Sequence, residues 1–357
     1  MHAPNAVLRS FGISIGVLPC GPLNTIADVA GVKVGHSTLS DGDVQTGVTA
    51  VVPSGGSLFC DKLIAASHVI NGFGKTAGLI QVDELGTLET PIILTNTLSV
   101  GDAWRGLCSW MLDREPSIGG AAGTVNPVVC ECNDGFLNDI RAMSVTPHMV
   151  TMALDSAAAS FELGAVGAGR GMSCYQFKGG IGSSSRVVEA DGARWTVGAL
   201  ILTNFGEMAD LRVDGHRTGE AAVKIAPPET LKEQGSCIVI LATDAPMTSR
   251  QLKRLCRRAS TGITRTGSII GNGSGEIAVA FSTAQRIPSA ARGELSLRAV
   301  SDAHANLFFR AVIESVEESI LTSLLAAPSV TGFCGHTRRS LAELAGKVPG
   351  LARRSEQ

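Results

Sequence analysis

Aromatic residues are scarce in this chain: one Tyr, three Trp and eleven Phe among 357 residues. Basic excess is missing too. The formal net charge is −2, and no stretch interleaves Lys or Arg with aromatics, which argues against a nucleic-acid surface. No apolar run approaches the roughly 18 residues of a membrane span, so no membrane partner is expected. The nine cysteines are odd in number and scattered, which does not suggest a disulfide framework. Cys130-Glu-Cys132 is the one close pair, and it lacks a second pair or a neighbouring histidine. No metal site and no cofactor are therefore expected.

Familiar catalytic patterns are also missing. GFGKT (72–76) ends like a phosphate-binding loop, but the first glycine of that motif would fall on Val69. GAVGAGRG (164–171) does not satisfy G-x-G-x-x-G. Ser274 lies between Asn272 and Glu276, which breaks the serine-hydrolase elbow G-x-S-x-G. His36, His68 and His148 read as packed or surface residues, since none sits in a Ser/His/Asp pattern. Near the N-terminus, Arg9 and FGISIGVLPCG resemble a short export signal, but Pro19-Cys20-Gly21-Pro22 makes a poor cleavage site. The expected location is cytoplasmic.

What remains is abundant core material: 44% hydrophobic residues, 17% charged, and 42 glycines for tight turns and close backbone contacts. Alternating or apolar runs predict strands at 28–39, 46–53, 62–70, 90–96, 126–132, 194–206, 237–244 and 274–283. Helical spacing predicts helices at 100–114, 155–164, 249–263 and 305–327, the last one long and amphipathic. Without a regular βαβ rhythm, the pattern indicates an α+β layered core. No linker divides the chain; PPETLKEQG (227–235) is its most exposed-looking break, and a processing site is one reading of it.

The lack of a catalytic histidine narrows the chemistry. A serine nucleophile needs a base, and an α-amino group with a pKa near 7.7–8.0 can serve. In KEQGSCIVILATDAP (232–246), Ser236 follows Gly235 at the mouth of an apolar strand. Cleavage of the Gly235–Ser236 bond would give Ser236 its own α-amine. In GNGSGEIAVAFST (271–283), Ser274 and Glu276 share one face of a strand and could bind an ammonium or relay a proton. Asn204, ending GALILTNFG, could donate to an oxyanion. Glu131 could bind a substrate ammonium. Each has an ordinary alternative: a Gly-Ser turn, a surface turn, a turn-forming Asn, a solvated carboxylate.

The blocks GPLNTIADVAGVKVGHSTL (21–39), TGVTAVVP (46–53), PIILTNTLSVGDA (91–103), NPVVCECNDGFLNDI (126–140), GAVGAGRGMSCYQFKGGIGSSSRVV (164–188), GALILTNFG (198–206), GSCIVILATDAPMTSRQLKRLCRRA (235–259) and GNGSGEIAVAFST (271–283) occur in one order. In that order the chain resembles the L-aminopeptidase/D-esterase (DmpA) and β-peptidyl aminopeptidase family, almost end to end. The resemblance implies a four-layer αββα sandwich of the DmpA/ornithine-acetyltransferase type. It implies a single catalytic domain, 1–357, that cuts itself into 1–235 and 236–357. By the same resemblance, Ser236 is the nucleophile, Asn204 the oxyanion donor, and Ser274 and Glu276 their support. Glu131 would recognise the substrate amine, with Asn133 beside it where some members carry Tyr. Substrates would be short peptides, amides or esters with a free amino group, and the assembly a homotetramer of the two-chain unit. The rivals are an acyltransferase of the ornithine-acetyltransferase type, which uses a threonine nucleophile, and a processing-dead homologue.

Overall fold

The computed structural model describes residues 5–120, 123–228 and 235–352. Two sheets face each other. The smaller has strand order β1-β2-β5-β6, formed by β1 (Lys33–Asp41), β2 (Val44–Val52), β5 (Ile92–Asn96) and β6 (Val128–Cys132). The larger has order β4-β3-β12-β11-β10-β9, formed by β4 (Thr87–Leu88), β3 (Asp61–Gly72), β12 (Gly275–Pro288), β11 (Ser236–Thr243), β10 (Ala193–Asn204) and β9 (Gly180–Ala190). A two-residue-stranded hairpin, β7 (Ser173–Cys174) and β8 (Phe177–Lys178), stands apart. The pairs β5–β6 and β11–β12 are parallel, and the other pairs within the two sheets are antiparallel.

Alternation along single strands builds the layers. On β11, Ile238, Ile240 and Ala242 pack between the sheets, while Cys237, Val239 and Leu241 face α5 (Ser249–Arg265) and α6 (Ala305–Ala326). On the smaller sheet, Val51, Ile92 and Leu94 face inward, while Ala50, Ile93 and Val129 meet α2 (Val100–Arg114) and α3 (Pro147–Asp155). Helix, sheet, sheet and helix stack in that order, the αββα sandwich. Burial on both faces explains the unbroken apolar run of β11; each such side chain contributes roughly 1.5–3 kcal/mol.

The expected strands and three of the four expected helices are present within a few residues of their predicted bounds, and two short helices, α1 (Leu79–Leu85) and α4 (Thr218–Ile225), are additional. The helix expected at 155–164 is not formed. Instead α3 begins at Pro147 in its first turn and ends at Asp155. The chain beyond it runs extended beside β1, with Val34 and Ala158 exchanging backbone hydrogen bonds of 3.0 Å. Helix α6 is also less amphipathic than expected. Glu314, Glu317 and Glu318 are buried, and Glu314 and Glu318 pair with the fully buried Arg186 of β9 at 3.1 and 2.5 Å. Strand β9 was not anticipated. Its GIGSSSR run has no apolar alternation because α6 lies directly on it: a Cβ at Gly182 would come within 1.8 Å of the Ser319 carbonyl oxygen. A legible signal did exist in Asp191-Gly192, both at positive φ, which closes the β9–β10 hairpin. The break at 227–235 lies mostly outside the described residues.

Candidate active site

The proposed site residues gather where strands of both sheets end. Asn204, the last residue of β10, pairs directly opposite Ser236, the first residue of β11. Ser236 in turn pairs with Gly275, the first residue of β12. Directly opposed residues of an antiparallel pair share a face with their Cβ atoms about 4.5–5.5 Å apart. Strand parity sends both side chains toward the inter-sheet layer, with Ile238 and Leu202 as the next residues inward. The Ser236 hydroxyl accepts a 3.3 Å hydrogen bond from the backbone N–H of Asn133, just past β6. The Asn133 side chain turns elsewhere and accepts from Gly135 N at 2.9 Å.

Asn204 is oriented by its own partner. Its Oδ1 accepts from Ser173 N at 3.0 Å. A backbone N–H can only donate, so the amide oxygen must face Ser173 and Nδ2 is left to the other side.

On the flank of the Gly235–Ser236 bond, Ser274 Oγ donates to Glu276 Oε1. Ser274 Oγ also lies 2.8 Å from where a Cβ on Gly235 would stand, and Phe205 Cβ lies 3.2 Å from that point. Glycine fits where a larger residue would push these groups aside. Glu276 is fully buried, and its Oε2 has no hydrogen-bond partner among the described residues. Burial raises its pKa, and the Ser274 hydroxyl partly opposes the rise.

Glu131, next to last in β6, is buried. Its Oε1 accepts from Lys75 N at 2.9 Å and its Oε2 accepts from the Thr97 hydroxyl. The GFGKT loop, which failed as a nucleotide motif, thus folds over this carboxylate. A Cβ on Gly74 would touch Glu131 Oε1 at 3.4 Å and Ile277 of the opposite sheet at 3.6 Å. A carboxylate offers about four acceptor positions, so lone pairs remain for an ammonium.

Cys130 and Cys132 pack in the inter-sheet core, and burial pushes the Cys130 thiol up to about 12 and raises the Cys132 thiol well above its ordinary value. Among the described residues, no cluster of three or more His, Cys, Asp or Glu could hold a metal. The ring nitrogens of His36 bond Thr49 and Glu162, while His304 and His336 each spend one on Asp191 and Phe136. Sequence reasoning missed the backbone donors of Asn133, Lys75 and Ser173, and the Thr97 hydroxyl. Backbone groups leave no signature in residue type.

Ser236 after Gly235, the Asn204 amide opposite it and the buried Ser274–Glu276 pair on its flank form one polar cluster at the strand ends. Peptidase family S58 matches over residues 24–338, and the chain belongs to that family. It is 38% identical to the β-peptidyl aminopeptidase BapA of Sphingosinicella microcystinivorans, covering 93% of this chain and 89% of that one. The L-aminopeptidase D-Ala-esterase/amidase of Ochrobactrum anthropi is described as a prototype serine aminopeptidase with a new variant of the Ntn-hydrolase fold. It superimposes with a TM-score of 0.87 at 36% identity, over 93% of this chain and 94% of that one. The PH0078 protein of Pyrococcus horikoshii OT3 superimposes with a TM-score of 0.90 at 48% identity, over 93% and 95%. The chain is a hydrolase, an aminopeptidase with the DmpA-type fold.

Proposed function

We propose that the chain cuts itself between Gly235 and Ser236, and that the new N-terminal serine removes N-terminal residues from short peptides, amides or esters. The carrying observation is the placement of Ser236 opposite Asn204, with Ser274 and Glu276 against Gly235. In the first step, Ser236 Oγ attacks the Gly235 carbonyl carbon through a five-membered ring. The C–N bond breaks as the hydroxyl proton passes to the departing nitrogen, and an ester remains, with Ser274 and Glu276 beside the scissile bond to position the new amine. Water hydrolyses that ester, leaving a Gly235 carboxylate and a free Ser236 α-amine. The unpartnered Glu276 Oε2 supports this reading, since a new ammonium nearby would give it a counter-charge.

In turnover, that amine is the base and Ser236 Oγ attacks the substrate carbonyl. Asn204 Nδ2 and the Asn133 N–H stabilise the oxyanion, and Glu131 holds the substrate ammonium. Water then releases the acyl group. Processing would yield chains 1–235 and 236–357. Nine free cysteines favour a reducing cytoplasm. Exposed Ile80 and Leu85 supply apolar surface for the homotetramer that the family likeness suggests.

The test is a denaturing gel with N-terminal sequencing of any smaller band. The expected band begins Ser-Cys-Ile-Val, and Ser236→Ala gives one uncut, inactive chain. Two chains from Ser236→Ala would overturn the scheme.

A further inference from the structure

Lys178 is fully buried, and the site as described makes no use of it. It ends the hairpin β7–β8, directly opposite Ser173 in the register. Its ammonium donates to the carbonyl oxygens of Met172 (2.7 Å), Gly179 (2.7 Å) and Gly169 (2.9 Å). A neutral amine has only two N–H groups, so three carbonyl acceptors match the charged form. Burial pulls its pKa well below the ordinary lysine value, and the carboxyl that opposes this, Asp134, is itself buried and bonded to Thr46 and Asn138; the three carbonyl acceptors are what hold the charged form.

One of these bonds leads to the candidate active site. The Met172 carbonyl and the Ser173 N–H belong to the same peptide unit. Its oxygen accepts from Lys178 Nζ and from Gly179 N at 3.1 Å, while its N–H donates to Asn204 Oδ1 at 3.0 Å. The far end of the Asn204 amide is the proposed oxyanion donor. A charge pulling on the oxygen of an amide makes its N–H a stronger donor, and hydrogen-bonded chains reinforce along their length. Two amides in series thus connect a buried cation to the place where negative charge develops.

The hairpin is built at a cost in backbone strain. Its two-residue turn is Tyr175-Gln176, both at positive φ (50° and 60°), where Asn-Gly would be the relaxed choice. Tyr175 is held there by its N–H to Phe205 O at 2.6 Å and its hydroxyl to Thr266 at 2.8 Å. Arg338 Nε donates to Ser173 Oγ at 3.2 Å and holds the Ser173 side chain beside that peptide unit. Strain held this firmly next to a functional group points to a positional role.

We propose that Lys178 is a positioning residue for oxyanion stabilisation, orienting and polarising the Asn204 amide through the Met172–Ser173 peptide unit. This rests on the reading of Asn204 given above. The test compares Lys178→Met, Asn204→Ala and the double variant, with rates normalised to the cleaved fraction. Lys178→Met should lower kcat by about 10- to 100-fold while KM moves by less than about threefold. Affinity for an amino aldehyde, whose adduct with Ser236 places an oxyanion in the same position, should fall with kcat. In the Asn204→Ala background the Lys178→Met effect should disappear. Should Lys178→Met not fold, Lys178→Gln keeps donors without the charge and should give a smaller loss of the same kind. Equal losses from Lys178→Met with and without Asn204, or Lys178→Gln at full kcat, would overturn the inference alone. Full turnover by Asn204→Ala would overturn the site reading and this inference with it.

Discussion

The backbone N–H of Gly275 donates to the carbonyl oxygen of Gly235 at 3.1 Å. This is the oxygen that would become an oxyanion when Ser236 attacks its own chain. In the proposed scheme the donor for processing is a main-chain group on β12, distinct from the Asn204 amide assigned to turnover. A Cβ at Gly275 would stand 2.4 Å from the Phe73 carbonyl oxygen, so alanine there must displace the start of β12. Gly275→Ala should slow self-cleavage by about tenfold or more. A gel time course on freshly made protein checks this, and an unchanged cleavage rate would remove Gly275 from the scheme.

Glu131 should matter for the substrate's charge. With Lys75 N and the Thr97 hydroxyl still able to bond a neutral amide, Glu131→Gln should fold normally. It should lose about 10- to 100-fold in kcat/KM on substrates with a free amine, the scale of a charge-assisted hydrogen bond. The ratio of rates on free and N-acylated substrates measures this. A ratio equal to that of the unaltered enzyme would assign amine recognition elsewhere.

Glu276 is buried at a cost in stability near neutral pH. Burial raises its pKa, so the folded chain keeps this proton at a pH where the unfolded chain has lost it. Stability then falls as pH rises from the ordinary carboxylate value through the raised one. In an uncut Ser236→Ala background, adding Glu276→Gln should leave Tm unchanged near pH 4 and raise it at pH 8. Melting curves across that range suffice, and a lower Tm at pH 8 would contradict the sign.

His36 should set part of the acid limit. Its Nε2 faces the Glu162 carbonyl at 3.1 Å and must carry the proton, so Nδ1 accepts from Thr49 Oγ1 at 2.9 Å. Burial lowers its pKa to about 4, against the backbone hydrogen bond that favours the charged form. Its contribution is complete above about pH 6.5 and is lost as pH falls toward 4, on the order of 3 kcal/mol. Denaturant titrations of His36→Gln should show a flatter acid limb than those of the unaltered protein; an equally steep limb would place the sensitive group elsewhere.

Much of the candidate site was legible because its polar residues sit where apolar alternation stops. Ser236, Asn204 and the Ser274–Glu276 pair are polar residues at the ends of strong strands, and their strands lie where periodicity put them. Lys178 was not legible. It lies in a glycine-rich stretch without periodicity, and its meaning comes from carbonyls of residues 169, 172 and 179 that only the folded chain brings around it. Strand β9 escaped for a related reason: the small residues that let α6 approach so closely erase the alternation that marks a strand.

By itself the sequence determined most of the strands and helices and the layered class, because hydrophobic period is a local property. Tertiary structure decided which strand ends meet, which way the Asn204 amide faces, and which backbone donors reach Ser236, Glu131 and the Gly235 carbonyl. Those depend on register between strands distant in sequence, and one residue of slip would turn every side chain to the opposite face.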